Sequence, residues 1–186
     1  MNATRNLTLN LHTTYHKIKT LHLDWLVIFP LFFFITSQII LPLPFSPVPV
    51  SLQPFPVFLV AWFFGFRGIA GYFAYLLEGA LSAPIFFGFS GGLAHLMGPT
   101  GGYLLGFLPG AIIIVYAKKH MSFQSLIAKY GLYTLATLIT FISGVSFLTF
   151  FISIKAAIVH GFIPFIIGDF LFKPTIFTLI ASCFKK

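Results

Sequence analysis

Acidic side chains are almost missing from this chain. Three Asp or Glu stand against eleven Lys or Arg in 186 residues, and charged residues make up only 8% of the whole. An ordinary soluble domain carries about 25%. With 58% hydrophobic residues and a mean hydropathy of +0.99, the deficit makes the chain an integral membrane protein, organised as one membrane domain over residues 1–186. A lone cysteine, Cys183, excludes an internal disulfide and a cysteine-based metal site. His12 and His16 lack a third ligand, so no metal or other cofactor is expected. The motif G-x-x-x-x-G-K-[ST] is absent, so ATP-driven work would need another subunit. The basic residues form no patch interleaved with aromatics, which argues against nucleic acid. They sit at the ends of apolar runs, as orientation in a bilayer requires.

Glycine and proline are not scarce, and they are concentrated. Residues 81–107 hold seven glycines and two prolines in otherwise apolar sequence. Such a stretch cannot be one regular helix, because proline removes a ladder hydrogen bond and glycine weakens the helix. Irregular backbone at membrane depth survives where protein or a water-filled cavity covers it. The stretch is therefore expected to line a cavity walled by the surrounding helices. Residues 42–54 carry five further prolines and predict an extended, re-entrant or polyproline-like connection.

Apolar runs predict an all-α bundle of six transmembrane helices over 25–184, behind a cytoplasmic tail at 1–24. The spans are 25–41, 55–66, 69–81, 101–117, 131–152 and 162–184. The second and third are short and are expected to form a hairpin at Arg67. Gly106, Pro109 and Gly110 predict a kink or a close helix contact, and the Ser and Thr of the fifth span can bond across to a neighbour. With both termini on one side, that side holds Arg5, Lys17, Lys19, Arg67, Lys118, Lys119, Lys129, Lys185 and Lys186, and the other only Lys155. The positive-inside rule then places both termini in the cytoplasm of a multi-pass cell-membrane protein, with the two Pro/Gly-rich loops outside.

Three ionisable residues fall within spans: Glu78, Asp169 and Lys173. A charge at the bilayer centre costs about 2.5–3.5 kcal/mol on insertion scales, so such groups pair or face a cavity. Asp169 and Lys173 are four apart and share a helix face. Either they form an intrahelical ion pair, or Asp169 accepts from ligand N–H groups while Lys173 meets an anion. Pro174 can disturb the ladder beside them and free backbone groups for a ligand. Glu78 either lines the cavity or pairs locally. Gly88-Phe-Ser90-Gly91 and Ala94-His95-Leu-Met-Gly98 resemble the two motifs of rhomboid proteases, which makes an intramembrane serine protease using Ser90 and His95 the alternative function. In rhomboids the motifs lie on separate helices, whereas here five residues separate Ser90 from His95.

Four segments resemble the BioY family, the biotin-binding S-components of energy-coupling factor (ECF) transporters. They are Ser37-Gln-Ile with Leu41-Pro-Leu-Pro-Phe-Ser-Pro-Val-Pro-Val-Ser-Leu-Gln-Pro-Phe55; Tyr75-Leu-Leu-Glu-Gly79 with Pro84; Gly98-Pro-Thr-Gly-Gly-Tyr-Leu-Leu-Gly106; and Pro164-Phe-Ile-Ile-Gly-Asp169 with Lys173. The resemblance implies a transporter rather than an enzyme. It implies six helices, cytoplasmic termini, and biotin held near the outer face under the first external loop. It implies partners as well: a transmembrane coupling subunit and ATPase subunits. The expected substrate-binding residues are Asp169, Lys173, Gln53, Glu78, Thr100, Gly101 and Tyr103. Lys173 follows Asp169 by four rather than the family's usual three, and Pro30-Leu-Phe-Phe-Phe34 replaces the small residues common in the first span.

Overall fold

The computed structural model describes residues 25–121 and 125–183. The expected tail at 1–24, with Arg5, His12, His16, Lys17 and Lys19, and the terminal Lys185 and Lys186 lie outside the described residues. Within them the chain is mostly helical. Helix α1 is Trp25–Ser37, four residues shorter than the expected span. It stops as Thr36 and Ser37 turn their hydroxyls onto the carbonyls of Phe32, Phe33 and Phe34, and the chain enters the proline-rich connection. That connection holds turns and bends between its ends. Its two ends pair as strands β1 (Ile40–Leu41) and β2 (Val50–Ser51), antiparallel, with Ile40 opposite Ser51 and Leu41 opposite Val50.

Helix α2 (Pro54–Phe64) starts on two prolines in its first turn, where a missing N–H costs nothing. A single residue, Gly65 at φ +60°, turns the chain into α3 (Phe66–Ala80), which makes the expected hairpin beside Arg67. Residues 81–100 are irregular, as the glycines and prolines predict. They contain a one-turn 3₁₀ segment at Phe87–Phe89, a bridge between Phe86 and Ser90, and the short helix α4 (Leu93–Leu96). Ser37 and Gln38 bind this loop to α1. The Ser37 hydroxyl reaches Ile85 O at 3.0 Å, Gln38 Nε2 donates to Phe86 O at 3.0 Å, and Gln38 Oε1 accepts from Phe89 N at 3.3 Å.

Helices α5 (Gly101–His120) and α6 (Leu126–Leu148) form the closest helix pair. Gly102, Gly106 and Gly110 recur every four residues on one face of α5. A Cβ at Gly106 would lie 3.0 Å from Thr140 O, and one at Gly110 2.9 Å from Ala136 O. The missing side chains bring the backbones together. Thr140 then donates to Gly106 O at 3.1 Å and Ser143 to Gly102 O at 3.0 Å, which is the cross-helix bonding expected of the fifth span.

The residues between the fifth and sixth expected spans form helix α7 (Ile154–Gly161) and not a plain connection. The expected sixth span is not one regular helix: it is built from a 3₁₀ turn at Ile163–Phe165, a π-helical segment at Gly168–Phe172 and α8 (Lys173–Cys183). The segments on either side of the break are bent by 47°. Pro164 and Pro174 explain the breaks. Pro174 has no N–H for Phe170 O, and Lys173 N–H bonds Gly168 O five residues back. By length and apolarity, α5 and α6 can each cross a membrane, and the bent pair would be a third span. Helix α1, with 13 residues, and α2, with 11, are apolar but shorter than the roughly 20 residues a straight crossing takes. Of the six expected spans, two to three therefore satisfy the criterion as single elements. The core between the helices is aromatic, with Phe33, Phe58, Tyr72, Tyr75, Tyr133 and Phe177 fully enclosed.

Candidate functional site

The π-helical turn ahead of Pro174 sets the position of Asp169. Five-residue spacing widens the helix there and swings Asp169 inward, where it is 1% exposed. The carbonyl left without a donor by Pro174, Phe170 O, accepts from the Tyr130 hydroxyl at 2.6 Å. The backbone group freed by the proline thus goes to α6 and not to a ligand. Asp169 and Lys173 form the ion pair that their spacing allows, Nζ to Oδ1 at 2.6 Å. Lys173 Nζ also donates to Ser51 O at 2.6 Å, which ties strand β2 to α8. Both side chains are buried.

One oxygen of Asp169 is left over. Asp169 Oδ2 has no hydrogen-bond partner among the described residues, and Asp169 borders a cavity of about 60 Å³. Its walls are apolar: Phe58, Phe86, Phe87, Phe107, Phe141 and Phe165 all border it. Strand β2, the start of α2, the loop 81–100, α5, α6 and the π-helical turn close around it. Gln53, His95 and Thr137 bring further polar side chains to the wall; His95 Nε2 is buried and without a partner among the described residues, whereas Gln53 and Thr137 lie beside the hydroxyls of Tyr75 and Tyr133. A buried polar atom without a hydrogen bond costs about 1–3 kcal/mol. Two such atoms border this cavity, Asp169 Oδ2 and His95 Nε2, and a ligand N–H can answer either.

The expected site residues divide. Asp169, Gln53, Thr100 and Tyr103 border the cavity. Tyr103 does so with its ring, because its hydroxyl already donates to Gly161 O at 2.8 Å. Lys173 stands behind Asp169 and off the wall. Gly101 is off the wall too. Its N–H donates to Gly98 O at 2.9 Å, and the direction a side chain would take is filled by the Leu96 backbone, so its role is to let α4 lie across the start of α5. Glu78 lies on the exposed side of α3, away from the cavity, and has no side-chain hydrogen bond or ion pair among the described residues. Sequence reading missed Thr137 and Thr140 as wall residues. Hydroxyls on an apolar span were legible, but the side they face was not.

His95 also reaches the cavity, by a route that removes the protease reading. Its ring lies between Phe86, stacked at 5.0 Å and 23°, and Phe87, edge-on at 5.0 Å. The expected pairing with Ser90 is present, Ser90 Oγ to His95 Nδ1 at 2.9 Å, but the Ser90 hydroxyl also meets Phe87 O at 2.6 Å. Carbonyl oxygen can only accept, so the single Ser90 proton points at Phe87 O, and Nδ1–H donates to Ser90 Oγ. A serine nucleophile needs the opposite arrangement, with the imidazole lone pair on its proton. Burial holds the His95 pKa below its usual 6.5, which favours the neutral ring.

The chain is similar to known proteins over most of its length. The model of the BioY family matches residues 10–186. "Biotin transporter BioY" of Thermotoga maritima is 42% identical over 147 residues, 77% of this chain and 85% of that protein. "Probable biotin transporter BioY" of Pyrococcus horikoshii is 34% identical, over 67% of this chain and 73% of that protein. In three dimensions the fold matches the solved S-component for biotin from an ECF-type ABC transporter, with a TM-score of 0.75 and 24% identity, over 91% of this chain and 92% of that one. These relatives are named as transporters and none as a protease, and the family match spans both the proline-rich connection and the Asp169 turn: the chain belongs to the BioY family.

Proposed function

We propose that this protein is the substrate-binding S-component of a biotin uptake system. It captures biotin in the cavity bordered by Asp169 and delivers it inward in company with a transmembrane coupling subunit and ATPase subunits. The observation that carries the reading is Asp169 Oδ2, without a partner among the described residues, at an aromatic-walled cavity. Biotin has an apolar bicycle and chain, a ureido group with two N–H donors and one carbonyl, and a carboxylate. A carboxylate oxygen facing the cavity repels the ligand's own carboxylate and accepts a ureido N–H. Gln53 Nε2, a donor, suits the ureido carbonyl. Lys173 positions Asp169 and holds β2 closed over it. The phenylalanine walls take the bicycle. Thr100 and the ring of Tyr103 complete the wall, Gly101 lets the loop pack there, and Glu78 takes no part.

The membrane arrangement is part of the same proposal. One domain of six crossing segments lies in the cell membrane, with shorter helices such as α1 and α2 extended by their flanks. Arg67, Lys118, Lys119 and Lys129 mark the cytoplasmic side together with both termini, and Lys155 marks the outer side. The cavity lies beneath the two proline- and glycine-rich loops and opens outward.

Biotin binding to the purified protein tests the reading, with desthiobiotin and lipoate as competitors. Saturable binding is expected, displaced by desthiobiotin, which keeps the ureido group, and not by lipoate, which lacks it. Asp169→Asn should weaken binding by roughly 10- to 100-fold, the worth of a hydrogen bond to a charged acceptor at about 1.5–3 kcal/mol. Full affinity in that variant would sink the ureido assignment. A folded wild-type protein that binds no biotin would sink the transport reading.

A further inference from the structure

We infer that His95 is a second ligand-contact residue, which reads a ureido N–H through Nε2 as a neutral acceptor, while Ser90 and the Phe87 carbonyl fix its tautomer. The contact rests on the biotin reading above and adds a specificity determinant to it.

The 2.6 Å contact of Ser90 Oγ with Phe87 O fixes the only hydroxyl proton. The 2.9 Å contact of Ser90 Oγ with His95 Nδ1 must then run from Nδ1–H to oxygen. A neutral imidazole with its proton on Nδ1 carries its lone pair on Nε2. That atom is buried, has no partner among the described residues, and belongs to a ring bordering the cavity. The flanking rings of Phe86 and Phe87 hold the imidazole in its plane. The cavity therefore offers two acceptors without a partner among the described residues, Asp169 Oδ2 and His95 Nε2, with the Gln53 amide at its wall. A ureido group offers two donors and one acceptor. No other part of biotin carries an N–H, and its carboxylate can only accept, so His95 can be answered by nothing on this ligand but the ureido group.

The experiment uses the full chain in detergent and three ligands: biotin and its two isomers singly N-methylated on the ureido group. His95→Phe keeps the aromatic sandwich and deletes the acceptor; His95→Gln restores an acceptor oxygen. Biotin affinity is expected to fall at least tenfold in His95→Phe and to recover most of that in His95→Gln. One of the two N-methyl isomers should bind wild type and His95→Phe within twofold of each other, because it lacks the donor that His95 reads. Nitrogen-15 NMR of histidine-labelled protein supplies a readout that packing alone would not move: the His95 resonance should show the Nδ1–H tautomer, and Ser90→Ala should shift it toward the other form. Unchanged biotin affinity in His95→Phe, an equal loss for all three ligands, or an Nε2–H tautomer in the wild type would each overturn the contact while leaving wild-type biotin binding intact. Absence of binding in folded wild type would instead overturn the transport reading and the contact together.

Discussion

Asp169 enters the apolar interior with half of its carboxylate answered. Lys173 neutralises the charge and bonds Oδ1, and what remains is Oδ2, without a partner among the described residues, on a residue that borders the cavity. Removing the lysine strands a buried charge, which typically costs 3–5 kcal/mol. Lys173→Met should therefore lower the thermal midpoint clearly, and Asp169→Asn combined with Lys173→Met should recover part of the loss. A double variant no better than Lys173→Met alone would show that the pair does not stabilise in this way. His95 gives a pH signature at the same scale. Its pKa is lowered from 6.5 by burial, so the unfolded chain binds its proton first as the pH falls. The stability held by the neutral ring is complete above about pH 6.5 and is lost as the pH drops through the lower folded value. Melting between pH 7.5 and 5.5 should fall further in wild type than in His95→Gln, and equal falls would assign the loss to other groups. The Asp169–Lys173 spacing was legible in sequence because a helix face is a matter of counting. The Ser90–His95 motif was legible as well, but not its sense, because the direction of a proton depends on a third atom, Phe87 O, that only the folded loop brings near.

At the scale of elements, the break before Pro174 couples two helices. Proline withholds a donor from Phe170 O, and Tyr130 on α6 supplies one at 2.6 Å. Tyr130→Phe should cost about 1 kcal/mol by denaturant or thermal unfolding. In a Pro174→Ala background, where an N–H again points at Phe170 O, the same change should cost much less. Equal costs in both backgrounds would mean the hydroxyl does not replace the missing donor. The glycine face of α5 is the other element-scale device. A methyl at Gly110 would meet Ala136 O at 2.9 Å and the Phe58 ring at 2.9 Å. Gly110→Ala should destabilise by roughly 1–3 kcal/mol through overpacking, whereas Gly131→Ala, where nothing lies within 4 Å of the added carbon, should not. Thermal unfolding of the two variants distinguishes them. Glycine content and the two proline-rich stretches announced irregular backbone and close contact. They did not announce the π-helical turn, which requires Pro174 to be read together with a hydroxyl 44 residues earlier in the chain.

For the whole molecule, the distribution of cations argues one orientation. The sole cysteine, Cys183, is exposed at the end of α8 and serves as a native probe of it. A membrane-impermeant maleimide should label Cys183 in inside-out vesicles and leave it unmodified in right-side-out ones. The reverse pattern would overturn the assigned sides. By itself the sequence determined the solvent and the family. Those follow from composition, from the spacing of apolar runs, and from motifs that are local in the chain. Tertiary structure alone decided which polar atoms are left unanswered. Glu78 and Asp169 are both acids predicted within spans, yet one lies on the exposed side of α3 and the other at a π-helical turn against a cavity. Whether a buried oxygen has a partner depends on groups far away in sequence, as Ser51 O depends on Lys173 and Phe170 O on Tyr130, and no local pattern encodes where those will lie.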